Sequence, residues 1–182
     1  GDGSPNSEDI QTLYQNSGFL FSSVNAVETK VVNDSITVEV RIREDEKATI
    51  NKVSIVGNDK TNDFVIFREL RVKPGSLFSR DAIIRSIREI GQLGFFDTNV
   101  TPDVKPNYQD KTADIEFSVI EKGGSQIELQ GGYGGGSFIG TLGLSFNNFS
   151  VRNLFKKEAY KPLPMGDGQS LSLRLQTSRT FN

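Results

Sequence analysis

The side chains that usually carry catalysis are largely missing from this chain of 182 residues. It contains no cysteine and no histidine, which excludes thiol nucleophiles, disulfides, zinc-type sites and imidazole acid–base chemistry. The formal net charge of −2 gives no electrostatic basis for nucleic acid as the main partner. We therefore expect neither an enzyme nor a bound cofactor, and no nucleic-acid binding.

Three short patterns could still mark a functional site, but none of them is specific. Gly134-Gly135-Gly136 with Gly140 fits a loose nucleotide-binding pattern. Such a loop must open a helix, whereas the segment that follows alternates as a strand does. Glu44-Asp45-Glu46 could form a calcium cluster, but a solvated linker is the better interpretation. Asn148-Phe149-Ser150 is a glycosylation acceptor only in a eukaryotic secretory setting. None of these patterns predicts a site.

The chain carries an internal repeat. Residues 38–44 align with residues 115–121, and Gly18-Phe19 aligns with Gly94-Phe95. The second copy has a front half, at about residues 48–78, which the first copy lacks. A repeat of this kind indicates a tandem array of one supersecondary unit. We therefore expect a fragment that begins inside one unit and continues through the next.

The second copy predicts a small α+β domain. Residues 49–56, 98–104 and 113–120 have the patterns of strands. Two helices lie between the first two strands, with Phe64, Phe67 and Leu70 expected on one face of the first helix. Ser79 is the expected N-cap of the second helix. The order strand–helix–helix–strand–strand predicts two helices on a three-stranded sheet, with an expected core of Ile83, Ile87, Ile90, Phe95, Phe117 and Val119.

The character of the sequence changes after residue 122. Apolar and polar residues alternate with a period of two along residues 126–133, 138–146 and 171–175. A transmembrane β-barrel has this pattern, with apolar side chains toward lipid and polar ones toward the lumen. A soluble antiparallel sheet with one wet face has it too. Periodicity alone leaves both interpretations open.

Three motifs of the second copy, in this order and spacing, resemble a polypeptide-transport-associated (POTRA) domain. They are Gly57-Asn58, the run Pro74-Gly75-Ser76-Leu77-Phe78-Ser79, and Gly94-Phe95-Phe96. Gly131-Gly132-Tyr133 and Phe146-Asn147-Asn148-Phe149 then resemble the opening barrel strands of the outer-membrane β-barrel assembly factor family, also called the bacterial surface antigen family. Residues 166–169 resemble a periplasmic turn of that family. An insertion from about Ser150 to Met165 departs from the common pattern and is typical of Bacteroidetes-type members.

The resemblance implies a division of the chain into four parts. Residues 1–6 are a linker end, residues 7–46 the C-terminal half of a POTRA domain, and residues 47–122 a complete last POTRA domain. Residues 123–182 are the first strands of an incomplete β-barrel. It also implies a Gram-negative outer-membrane location, with residues 1–122 in the periplasm and the barrel strands in the membrane.

The function that the resemblance implies is assembly of outer-membrane proteins. Its partners are unfolded barrel proteins and accessory assembly lipoproteins, and a client strand is bound by β-augmentation. The implied site is the backbone of one strand, formed by Gln126, Ile127, Glu128, Leu129, Gln130 and Gly131. Gly131 and Gly132 either weaken local pairing or only let neighbouring strands pack closely. A two-partner-secretion transporter and a periplasmic POTRA scaffold for protein–protein interaction remain alternatives.

Overall fold

The computed structural model describes residues 9–33, 35–97, 99–160 and 163–180. The expected linker end at residues 1–6 lies outside them. The chain divides into two compact units. One comprises Gly1–Val56, Glu69–Glu89 and Val100–Ser118, and the other comprises Gly57–Arg68, Ile90–Asn99 and Val119–Asn182. Among the described residues, no helix has the length and apolar character needed to cross a membrane.

The first copy of the repeat is a helix followed by a β-hairpin. Its elements are α1 (Ile10–Asn16), β1 (Ser23–Val32) and β2 (Ser35–Arg43). Asp9 caps α1, because its carboxylate accepts a hydrogen bond of 2.7 Å from the backbone N–H of Thr12. This bond lowers the pKa of Asp9. β1 and β2 pair antiparallel, with a bulge between Glu28 and Lys30. The described part of this copy is therefore one helix and one hairpin.

The acidic run between the two copies has structural partners. The hydroxyl of Tyr14 donates to Glu44 at 2.9 Å, and Lys111 forms an ion pair with Asp45 at 2.9 Å. The hydrogen bond from Lys111 is the largest cause that lowers the pKa of Asp45. Within the described ranges, no three acidic side chains are grouped as a metal site requires. Glu44 and Asp45 thus each have a partner within the protein.

The second copy has the predicted order of elements. They are β3 (Thr49–Val56), α2 (Asp63–Phe67), α3 (Arg80–Gln92), β4 (Thr101–Asn107) and β5 (Thr112–Ser118). The sheet order is β3-β5-β4, in which β5 pairs parallel with β3 and antiparallel with β4. β4 begins at Thr101, later than predicted, and residue 98 lies outside the described residues. The prediction of an α+β domain is confirmed.

Each unit has its own buried apolar residues. In the first unit, Ile115 and Phe117 of the central strand β5 are fully buried, and Ile83 of α3 is buried as well. Ile87 is only half-buried, so its predicted place in the core is correct in part. The second unit buries Val65, Ile66, Ile90, Phe95, Phe96 and Val119. Five of the six predicted core residues are therefore buried, and other buried residues, such as Val65, Ile66 and Phe96, were not predicted.

The prediction for the apolar face of α2 was wrong. Phe64 and Phe67 are 44% and 41% exposed, whereas Val65 and Ile66 are fully buried. α2 is only five residues long and ends at Phe67, so a helical period does not extend to Leu70. A pattern that spans about two turns cannot describe a helix of little more than one turn.

The motifs around α3 and after β3 have clear physical reasons. The hydroxyl of Ser79 accepts a hydrogen bond of 3.3 Å from the N–H of Ala82, as an N-cap does. Gly57 has a φ of +92°, and a Cβ placed there would lie 2.0 Å from the carbonyl oxygen of Val119. Position 57 therefore requires glycine for both its conformation and its close backbone contact.

The C-terminal part is an antiparallel three-stranded sheet. Its strands are β6 (Ser125–Gly134), β7 (Ser137–Phe149) and β8 (Gln169–Thr180), in the order β6-β7-β8. Gly135 and Gly136 have φ values of +58° and +73° and form a two-residue turn between β6 and β7. These glycines connect two strands and open no helix, so the nucleotide-loop interpretation is wrong.

Candidate functional site

The strand β6 lies at the end of its sheet. Each of its ten residues is exposed, and Leu129 is 80% exposed. Within the described part of the chain, β6 pairs with β7 alone. The six sequence-predicted positions, Gln126 to Gly131, therefore lie together on one edge strand. Such an edge presents a row of backbone N–H and C=O groups that can pair with another strand.

The register of β6 determines which residues direct their backbone groups outward. β6 and β7 pair without a shift from Ser125↔Phe146 to Gly134↔Ser137. The pair that flanks a two-residue turn is hydrogen-bonded, and bonded and non-bonded pairs alternate from there. Residues with odd numbers, among them Ile127, Leu129 and Gly131, consequently direct their N–H and C=O groups to the free edge.

The two faces of this sheet differ in polarity. On one face, the cross-strand rows are Ile127–Leu144–Leu173 and Leu129–Leu142–Leu175. On the other face, Glu128 and Arg174 form an ion pair of 3.5 Å across the middle strand. Gly143 lies between them, and a Cβ there would be 3.3 Å from the Glu128 side chain. Both charged side chains are more than half exposed, so the pair contributes little stability.

The glycines of β6 are not required by contacts within the described sheet. A Cβ at Gly132 would meet no atom within 4 Å, and one at Gly131 would make an ordinary contact of 3.8 Å with the Phe138 ring. The Phe138 ring also covers Gly140, the partner of Gly131. A shallow apolar groove of about 470 Å³ lies here, lined in part by Leu129 and Leu175. Close packing against the described strands therefore does not account for Gly131 and Gly132.

The connection between β7 and β8 contains a buried polar cluster centred on Asn148. This residue is 3% exposed and has a φ of +64°. Its amide nitrogen donates to the Thr61 hydroxyl at 2.8 Å, and its amide oxygen accepts from the Gly168 N–H at 2.9 Å. Its backbone oxygen accepts from the Gly166 N–H at 2.9 Å. Asn148 lies at the start of the β7–β8 connection. It therefore links this start to the end of the connection and to the loop before α2.

Asp167 forms the second half of this cluster. One carboxylate oxygen accepts from the Asn62 amide at 2.9 Å, and the other accepts from the Ser150 hydroxyl at 2.7 Å. The backbone N–H of Asn62 also donates to the carbonyl of Gly166 at 2.9 Å. Gly168 packs closely, because a Cβ there would lie 2.7 Å from Val65. We call Thr61, Asn62, Asn148, Ser150 and Asp167 the polar clamp.

Comparison with known proteins finds one family match and several similar proteins. Residues 48–122 match the POTRA family, described as surface antigen variable number repeat. The outer membrane protein assembly factor BamA of Nitratidesulfovibrio vulgaris is 30% identical over 155 residues, covering 85% of this chain and 19% of the relative. BamA of Neisseria meningitidis serogroup B is 29% identical over 180 residues, covering 94% and 20%. Residues 48–122 thus match the POTRA family, and most of the chain is similar to part of the outer membrane protein assembly factors.

Solved structures agree with this family at the level of the fold. BamA from Haemophilus ducreyi lacking POTRA domains 1–3 matches with a TM-score of 0.73 and 22% identity, over 93% of this chain and 29% of that one. BamA POTRA3–5 from Haemophilus influenzae matches with a TM-score of 0.54 and 20% identity, over 62% and 44%. The chain spans about a fifth of the length of the curated assembly factors. The Bacteroidetes-type interpretation of the insertion stays a prediction.

The polar clamp was missed at the sequence level. Asn148 was noted only within a glycosylation pattern and a strand motif, and Asp167 only within a turn. Their partners Thr61 and Asn62 lie 87 and 105 residues away along the chain. The available signal was Asn148 itself, since asparagine is the non-glycine residue that most readily adopts a positive φ.

We expect Asn148→Ala to loosen the polar clamp. The substitution removes two buried hydrogen bonds and places alanine at a positive φ, at a cost of about 1–3 kcal/mol for the bonds and about 1–2 kcal/mol for the backbone. Hydrogen exchange of the Gly168 N–H should become roughly tenfold faster or more. Asn148→Gly is the control, because it keeps the backbone conformation and loses only the side chain. Unchanged exchange in both variants would show that the clamp contributes no local stability.

Proposed function

We propose that this chain is the periplasmic POTRA region and the first barrel strands of an outer-membrane protein assembly factor. In this proposal, residues 7–46 are the end of one POTRA domain, residues 47–122 are the last POTRA domain, and residues 123–182 begin a barrel. β6 binds a strand of an unfolded client protein and guides its insertion. The family of the chain and the names of its curated relatives support this assignment.

The observation that carries the proposal is the unprotected edge of β6. The edge strand β4 contains Pro102 and Pro106 within seven residues, and proline blocks further pairing. β6 has ten exposed residues, no proline and a single charge, Glu128. The edge of β4 is therefore protected against further strand pairing, whereas the edge of β6 is not. An edge that is left open is expected where another strand must pair.

Pairing on β6 supplies affinity without a specific client sequence. The outward N–H and C=O groups of Ile127, Leu129 and Gly131 form hydrogen bonds with the client backbone, while Gln126, Glu128 and Gln130 keep β6 bonded to β7. The side chains alternate between the apolar and polar faces, so a client strand with the same alternation continues both faces. No covalent bond changes, and we propose no catalytic role.

The proposed location is the Gram-negative outer membrane. The apolar face of β6, β7 and β8 contacts lipid, and residues 1–122 lie in the periplasm. Client proteins arrive unfolded from the periplasm, and accessory assembly lipoproteins bind the POTRA region. The identity of these lipoproteins is not part of the proposal.

Depletion of the parent protein in its own host tests the function. We expect folded barrel proteins of many kinds to decrease together in the outer membrane, measured by heat-modifiable mobility in gels. Loss of one secreted substrate alone would instead indicate a two-partner-secretion transporter. Unchanged outer-membrane proteins, with only altered periplasmic complexes, would indicate a POTRA scaffold. A plasmid copy of the parent gene is the control and should restore the original pattern.

A further inference from the structure

The insertion between β7 and β8 presents an aromatic side chain to solvent. Phe155 is 92% exposed, the largest exposed fraction among the described large apolar side chains. Val151 and Leu154, in the same segment, are 59% and 42% exposed. None of the client-binding or clamp contacts uses these three residues. Their exposure therefore needs a separate explanation.

The segment that carries Phe155 is folded. The Tyr160 hydroxyl donates to the Leu154 carbonyl at 2.6 Å, and the Asn153 amide donates to the Met165 carbonyl at 2.9 Å. The N–H of Leu154 also donates to the Val151 carbonyl at 3.2 Å. These bonds fix the backbone on both sides of Phe155. The ring is held in solvent by the loop geometry, so little ordering is needed when it binds a surface.

The segment that carries Phe155 is rich in positively charged residues. Residues 151–158 contain Arg152, Lys156 and Lys157 and a single carboxylate, Glu158, although the whole chain has a net charge of −2. In the part of the chain that the structure describes, neither lysine forms an ion pair. Arg152 lies 5.8 Å from the centre of the Phe64 ring. The local charge is thus opposite in sign to that of the whole chain.

The far end of the insertion contacts the apolar residues at the end of β7. Phe149, the last residue of β7, forms a β-bridge with Met165 of the insertion. Phe146, Phe149 and Leu163 line the same small cavity. Apolar side chains therefore continue from the end of β7 into the insertion. An exposed ring beside cations, next to an apolar sheet face, has the composition of an interfacial membrane anchor.

We propose that residues 151–157 bind an anionic phospholipid surface. Phe155 and Leu154 enter the boundary between headgroups and acyl chains, and Arg152, Lys156 and Lys157 contact the phosphates. The inference rests on the proposed function, which places β7 and β8 in a membrane. The cations complement the negative charge of phospholipid headgroups, and the insertion contacts the apolar end of β7. Both features favour lipid over a protein as the occupant.

Tryptophan fluorescence tests this proposal directly, because the chain contains no tryptophan. Phe155→Trp, in the full chain, is mixed with phosphatidylethanolamine vesicles that contain phosphatidylglycerol. We expect a blue shift of the emission and quenching by brominated acyl chains. Tyr108→Trp is the control at an exposed aromatic of the β4–β5 turn, and its emission should stay that of a ring in water.

Charge variants measure the electrostatic part. In the Phe155→Trp background, Lys156→Gln and Lys157→Gln should each weaken vesicle binding about fivefold, and high salt should weaken it further. Lys52→Gln removes an exposed lysine of β3 and should change nothing. Equal binding of all three lysine variants would overturn the role of these cations.

A third reporter separates failure of this inference from failure of the proposed function. Leu175→Trp lies on the apolar face of β8 and reports sheet insertion. In one outcome, brominated acyl chains quench the Leu175→Trp variant, while aqueous iodide still reaches the ring of the Phe155→Trp variant. This result would overturn the anchor and leave the membrane assignment intact. Quenching of neither would contradict both. Shielding of Trp at 155 only by added periplasmic protein would show a protein-binding surface and overturn the lipid proposal.

Discussion

Proline at Leu129 is expected to reduce client insertion by the parent protein about tenfold or more, because one outward hydrogen bond is lost and the ring obstructs the next strand. The N–H of Leu129 points away from β7, so the hairpin should stay folded. Insertion of a radiolabelled barrel protein into membranes that contain the variant measures the effect.

Two companion substitutions separate lost pairing from lost folding. Leu129→Ala keeps the backbone N–H and should retain nearly full activity. Gln130→Pro removes a donor that faces β7, so it should disturb the hairpin itself and accelerate hydrogen exchange along β7. Equal activity of Leu129→Pro and Leu129→Ala would argue against strand templating by β6.

Phe117→Asp should unfold the POTRA domain. Phe117 is fully buried in the central strand β5, and an aspartate there would lose the ring and bury an unpaired charge. Loss of a buried phenylalanine alone costs about 3–5 kcal/mol, which is comparable with the whole stability of many small domains. Far-UV circular dichroism should show loss of the cooperative melt.

Ser118→Asp is the matched control for the core substitution. Ser118 follows Phe117 on the same strand and lies on the opposite, half-buried face. Its substitution should change the free energy of unfolding by no more than about 1 kcal/mol. A melting temperature that is equal in Phe117→Asp and in the unchanged chain would contradict the assignment of this core.

The sequence predicted those parts of the fold that are governed by local patterns. The strand β5 alternates strictly, so Phe117 was placed in the core correctly. The N-cap at Ser79 could also be predicted. The same is true of the apolar stripe of α3, because a helix of 13 residues shows its period clearly. The single turn of α2 shows no such period, and its buried face was assigned wrongly.

The client-binding role of residues 126–131 stays a prediction, and the geometry of their strand could be predicted only in part. The resemblance placed it on residues 126–131, and the structure puts these residues on one edge strand. The division into outward and inward backbone groups needs the register to β7, which the sequence does not state. The polar clamp depends on contacts between residues far apart in the chain, and single-sequence patterns carry no information about such pairs.

Cysteine crosslinking along β6 tests the central claim most directly, because the chain has no cysteine of its own. Single cysteines at Glu128 and Leu129 of the parent protein are combined with a series of cysteines in the last strand of a stalled client. Side chains on paired strands alternate between faces, so Glu128→Cys should crosslink to client positions of one parity and Leu129→Cys to the other. Leu173→Cys on β8 is the control edge. The account predicts this alternation at β6. Crosslinks without alternation, or equal crosslinks from β8, would contradict it.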